Sequence, residues 1–108
     1  MAYYLYQGSY TSEALRALIK KPVNRFEVVQ KAVEELGGSV EGVWFAFGEY
    51  DVVLILQMPD NVSVAALSLA VTAGGGVHSG KTTPLMTVNE GLAAMKKAGT
   101  SSYKPPGK

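Results

Sequence analysis

The sequence contains no cysteine, only one histidine and few charges. Without thiols there is no disulfide, no iron–sulfur cluster, no thiolate zinc site and no cysteine nucleophile. Charged residues make up 18% of the chain, below the usual share of about 25%. Much of the surface is therefore expected to be buried, in the fold or against another subunit. Ten basic and nine acidic residues leave a formal charge of +1, which offers no electrostatic footprint for nucleic acid or an anionic membrane. No apolar run approaches the roughly 20 residues that a membrane-crossing helix needs. The opening Met1 to Gly8 lacks the basic start and apolar stretch of a secretory leader. The expectation is a soluble cytoplasmic protein of one domain, because half of 108 residues would hold no sizeable core.

What is present is regular patterning. Tyr3 to Tyr10 alternates as a strand does. Thr11 or Ser12 caps a short helical turn, with Glu13 at its positive end. Pro22 interrupts that turn and Asn24 restarts the helix. From Arg25 onward, Phe26, Val29, Ala32, Val33 and Leu36 share one helical face, and Gly37-Gly38 stops it. Ser39 to Tyr50 and Val52 to Met58 read as strands of a hairpin, with Gly48 to Asp51 as its turn. Pro59-Asp60-Asn61 caps a helix from Val62 to about Ala73, with Ala65, Ala66, Leu69 and Ala70 assigned to its buried side. Gly74-Gly75-Gly76 ends it, Val77 to Thr87 is a fourth strand, and Asn89-Glu90 opens a short basic helix to Ala98. Residues 99–108, rich in Ser, Pro, Gly and Lys, form a tail expected to be disordered.

The order β-α-β-β-α-β predicts an α+β, ferredoxin-like domain over residues 1–98: an antiparallel four-stranded sheet with its two helices on one face, followed by a short C-terminal helix. A sheet whose other face met water would alternate apolar and polar residues. Val52 through Leu56 is apolar at every position, and Trp44 to Phe47 is apolar on both parities. Both faces therefore require cover. A second copy packed face to face about a two-fold axis supplies it, giving a dimeric α/β barrel.

Three segments carry a resemblance. Gln7-Gly8-Ser9-Tyr10-Thr11, Phe45-Ala46-Phe47-Gly48-Glu49-Tyr50-Asp51 and Lys81-Thr82-Thr83-Pro84-Leu85 follow one another in the order found in the GYD domain family, which the chain resembles from about Tyr4 to Glu90. The resemblance implies a small bacterial or archaeal protein of the dimeric α/β barrel superfamily, without an established activity. It carries over no catalytic residue.

Several residues could bear chemistry. Gly75 to Thr82 matches the phosphate-loop pattern G-x-x-x-x-G-K-[ST] letter for letter, but that loop requires a strand before it and a helix after it. Here a helix precedes and Pro84 disfavours one after, so the reading is a glycine helix stop followed by a strand. Within Gly48-Glu49-Tyr50-Asp51, Glu49 or Asp51 could orient or deprotonate a ligand with Tyr50 as donor; the plainer role is Asp51 satisfying backbone N–H groups of the turn. His78 could act as a base beside a carboxylate, or stand exposed on its strand. Lys81 could meet an anionic ligand, or guard a sheet edge. Arg25 reads as a helix-surface charge or a carboxylate partner. Trp44, Phe45 and Phe47, with Tyr4, Tyr6 and Tyr10, make an aromatic cluster that fills the core or leaves a pocket.

Two functions of different class follow. One is a homo-oligomeric assembly or small-ligand-binding protein, with Tyr10, Trp44, Phe47, Glu49, Tyr50, Asp51, His78 and Lys81 as candidate pocket residues. The alternative is a cofactor-independent enzyme, monooxygenase- or isomerase-like, acting on a small aromatic or anionic organic molecule. Neither reading calls for a metal or cofactor. The expected partners are a second copy of the chain and a small organic ligand, with no nucleic acid or membrane.

Overall fold

β1 (Ala2–Tyr10) and β3 (Val52–Met58) are built from aromatic and branched residues, and they pair antiparallel at the centre of the sheet. The computed structural model describes residues 1–108. Between and after these strands run α1 (Ser12–Lys20), α2 (Phe26–Glu35), β2 (Ser39–Phe45), α3 (Asn61–Ala73), β4 (Val77–Leu85) and α4 (Val88–Ala98). The strand order is β2-β3-β1-β4, antiparallel throughout. This is the ferredoxin-like arrangement that the order of elements predicts. No helix is long and apolar enough to cross a membrane.

Register divides each strand between two faces. Tyr4 lies opposite Leu56, Tyr6 opposite Leu54 and Gly8 opposite Val52. These residues face the helices, where Tyr4, Tyr6, Val52, Leu54, Leu56 and Met58 are buried. Leu56, Met58 and the α2 residue Val33 are shut off almost completely, and each such burial contributes about 1.5–3 kcal/mol. Leu5 opposite Ile55, and Gln7 opposite Val53, occupy the other face. No helix of the chain covers them, and all four remain only half-buried.

The helices follow their capping signals. The Thr11 side chain accepts from the Ala14 N–H, and α1 runs nine residues, longer than the short turn expected. It stops at Lys21, ahead of Pro22. α2 is an exception: Arg25, not the expected Asn24, holds its N-cap position without a side-chain cap bond, and Asn24, one residue earlier, accepts from the Phe26 N–H at 3.0 Å. The expected α2 stripe holds, with Val33 buried and Phe26, Val29, Ala32 and Leu36 packed on the core. The expected buried side of α3 does not: Val64 and Leu67 are buried and Val71 packs beside them, whereas Leu69 is 71% exposed and Ala65 and Ala70 are exposed. α3 is apolar nearly all round, so periodicity cannot select its inner face; Val64, Leu67 and Val71, at i, i+3 and i+7, take it.

Strand ends also differ from expectation. β2 stops at Phe45 rather than Tyr50, because the chain leaves the ladder for the loop at Ala46, and β4 stops at Leu85 rather than Thr87. Thr87 instead caps α4: its hydroxyl accepts from the Glu90 N–H while the Glu90 carboxylate accepts from the Thr87 N–H. Gly75 takes a positive φ of 80° just past α3, and Lys81 and Thr82 lie within β4. The phosphate-loop pattern is thus a helix stop and a strand.

α4 buries no residue, and Val88 and Met95 are 81% and 70% exposed. The radius of gyration is 17.4 Å and the longest extent 58 Å, against about 13 Å for a compact chain of this length. α4 and the tail, which holds no further helix or strand, project from the body.

A Cβ at Gly38 would collide with the Met58 sulfur and the Gln57 carbonyl, so Gly38→Ala should cost about 1–3 kcal/mol in urea unfolding. Gly91→Ala, which meets nothing within 4 Å, should leave stability unchanged or raise it. The Asp60 carboxylate accepts from the Ser63 N–H at 2.8 Å and this bond holds its pKa below the ordinary value. Its contribution is therefore present above the unfolded carboxylate range and lost as pH falls through the folded pKa. Asp60→Ala should lower the melting temperature at pH 7 and lower it by less in strong acid.

Candidate functional site

On the helix side, the layer above the sheet is incomplete. Pro22 separates α1 from α2, and both, with α3, contribute to one cavity above the sheet. Between these helices and the strands lies an open cavity of about 1060 Å³. Its floor is Tyr6, Tyr10, Val52, Leu54, Leu56 and Val77; its sides come from α1, α2 and α3, including Ala17, Val29 and Val71. Seventeen of its 22 lining residues are hydrophobic, and the only charged ones are Lys20, Lys21 and Arg25. The volume stands at the upper end of the roughly 300–1,000 Å³ of small-molecule sites.

Two phenols mark one end of it. The Tyr6 ring lies across two glycines: a Cβ at Gly80 would come within 2.6 Å of its hydroxyl, and one at Gly8 within 3.0 Å of its Cε2. Only glycine leaves room for the ring at these facing positions. The Tyr6 Oη is buried and has no hydrogen-bond partner. Burial raises the pKa of Tyr6, with Tyr10 adding to the rise. Tyr10 is also raised, chiefly by burial, while the Arg25 charge pulls it down and Asp51 pushes it up. Both hydroxyls are neutral donors at physiological pH.

Of the residues singled out from sequence as pocket candidates, Tyr10 alone lines this cavity. Glu49, Tyr50 and Asp51 form the turn that fastens the β2–β3 hairpin to the end of β1. The Asp51 carboxylate accepts from the Tyr10 N–H at 2.9 Å, the Asp51 N–H donates to Gly8 O at 2.9 Å, and Ser9 Oγ donates to Glu49 O at 2.8 Å. Trp44 pairs across from Val53 on the opposite face of the sheet, its ring against Gly42. Phe47 is fully exposed in the loop. His78 is exposed where β4 shifts register against β1, and Lys81 is exposed opposite Gln7. The aromatic cluster divides: Tyr4 and Tyr6 enter the core, and Phe45 packs on Phe26 with ring centroids 4.8 Å apart.

Sequence reasoning set Tyr6 among the core aromatics and did not reach Lys20, Lys21 or the aliphatic walls. One signal pointed there: three cations crowded around the proline break, Lys20-Lys21-Pro22 and then Arg25. The Asp51 geometry yields a prediction. Asp51→Ala leaves the Tyr10 N–H without its acceptor and should destabilise by about 1–3 kcal/mol, read by urea unfolding, whereas Asp51→Asn retains an acceptor oxygen and should lose less.

Comparison with known proteins agrees with this fold. Among solved structures, FFRP-DM1 superposes with a TM-score of 0.54 at 13% identity, over 80% of this chain and 100% of that one. TTHA0845 from Thermus thermophilus gives 0.54 at 17% identity, over 82% and 96%. The hypothetical protein PHS023 from Pyrococcus horikoshii gives 0.52 at 12% identity, over 81% and 92%. At such identities the likeness is one of fold. No curated protein matches the sequence. The sequence does match the GYD domain profile over residues 4–95, nearly all of the ordered elements. The chain belongs to the GYD domain family.

Proposed function

We propose that the chain is a homo-oligomeric small-ligand-binding protein, two copies joined through the open faces of their sheets, each holding a small organic molecule in its helix-side cavity. The observation that carries the ligand reading is the cavity itself. An open apolar cavity of about 1060 Å³ leaves its lining against water, and an apolar guest removes that surface from water. The assembly reading is supported by the opposite face, where Leu5, Val53, Ile55 and Leu85 form an apolar surface flanked by the 56% exposed Trp44. Stacking two such faces about a two-fold axis makes a self-complementary interface.

Binding is favoured over turnover by the chemistry of the lining. It contains no carboxylate, histidine, serine or threonine. Its two phenols are kept protonated by burial, so it offers no ready general base. The groups on which an enzyme reading would rest stand elsewhere: Asp51 in its turn, His78 and Lys81 exposed on β4.

The test is titration with an uncharged environment-sensitive fluorophore, N-phenyl-naphthylamine. The wild-type protein should bind it saturably. Ala70→Trp and Ala17→Trp, which fill the cavity from facing helices, should abolish binding while the circular dichroism spectrum stays unchanged. Absence of binding to wild type, or equal binding by the two filled and folded variants, contradicts the reading.

A further inference from the structure

The charged residues that line the cavity are all cations, although the Asp51 carboxylate outside the lining also acts on Tyr10. Lys20 and Lys21 end α1, Arg25 precedes α2, and all three line the cavity with exposed side chains. No acidic residue joins them in the lining, although acids and bases nearly balance over the chain as a whole. The local excess of positive charge is therefore a property of this opening. Arg25 is close enough to Tyr10 for its charge to act on the phenol, and Tyr10 in turn neighbours the buried, unpartnered Tyr6 hydroxyl. Beyond them the lining is aliphatic, with Leu54, Leu56, Leu67 and Val71. Polarity is thus graded, from cations at the opening, through a phenol donor, to a purely apolar wall.

Such a gradient selects an occupant with the opposite ordering. Resting on the ligand-binding reading above, we propose that the cavity takes an amphipathic monoanion, an alkyl carboxylate, with its head on the Arg25 guanidinium and the Tyr10 hydroxyl and its chain along Leu54, Leu56 and Val71. A guanidinium presents paired N–H donors in the fork geometry that a carboxylate accepts, and the hydrocarbon gains by leaving water. A cationic amphiphile would meet repulsion at the opening. So would the exposed α4 of a second copy, whose last turn carries Lys96 and Lys97.

Displacement of N-phenyl-naphthylamine by decanoate, decanol and decylamine tests the assignment. Partitioning by apolarity alone ranks decanol ahead of decanoate. The cation-lined opening reverses that order, with decanoate effective at a concentration lower by about tenfold, the effect of one charge-assisted hydrogen bond. Arg25→Gln should remove most of the difference, and Tyr10→Phe should narrow it. Decanol equal to decanoate, decylamine stronger than either, or a full decanoate advantage surviving in Arg25→Gln each overturns the anion assignment. If the fluorophore binds in the cavity and decanoate fails to displace it, the anion assignment falls alone. If the fluorophore itself does not bind wild type, the ligand-binding reading falls with it.

Discussion

The antiparallel ladder between β1 and β3 is the constraint on which the rest of this molecule depends. Both strands lie in the middle of the sheet, and both carry apolar residues on each face, interrupted on the open one by Gln7 and Gln57. Tyr4, Tyr6, Leu54 and Leu56 commit one face to the helices. Leu5, Val53 and Ile55 leave the other with nothing from the same chain to cover it. A one-residue slip in register would exchange two largely apolar sets, so alternation holds this pairing less firmly than it does in a half-polar sheet. Fixed points do that instead. Asp51 bonds the Tyr10 amide, Ser9 bonds the Glu49 carbonyl, and Gly8 and Gly80 sit side by side beneath the Tyr6 ring. The Gly-Glu-Tyr-Asp segment works in this structure as a clasp between the hairpin and the first strand.

The cavity is a consequence of a second feature, the interruption at Lys21-Pro22. A continuous helix after β1 would lay one amphipathic stripe along the sheet. Here two short helices with a break between them line an open cavity together with α3. The same break gathers Lys20, Lys21 and Arg25, because the residues flanking a helix interruption are exposed and accept long charged side chains. One local event in the sequence thus creates both the space and its electrostatic character.

Most of the architecture was legible because its signals are local and redundant. Caps at Thr11 and Asp60, glycine stops at Gly37 and Gly75, and the stripe from Phe26 to Leu36 each name an element independently of the others. The inner face of α3 was not legible: valine, alanine and leucine surround that helix, and only the shape of the sheet below chooses among them. The site was harder still. Pattern gathers residues that are chemically loaded, such as Glu49, Tyr50, Asp51 and His78, whereas this cavity is made mostly of aliphatic side chains from three helices. Nothing in their sequence separates a chain that lines a void from one that fills a core. The exception was Tyr10, which terminates β1 at the point where the sheet, the turn and the cavity meet.

The central claim is that the two-faced sheet is completed by a second copy of the chain. Sedimentation equilibrium of the full-length protein over a range of micromolar concentrations tests it most directly. The account predicts a dimer mass, shifted towards monomer when Ile55, at the centre of the open face, is replaced by lysine with helical content intact. A wild-type protein that sediments as a monomer throughout that range would contradict it, since Leu5, Val53 and Ile55 would then stand against water.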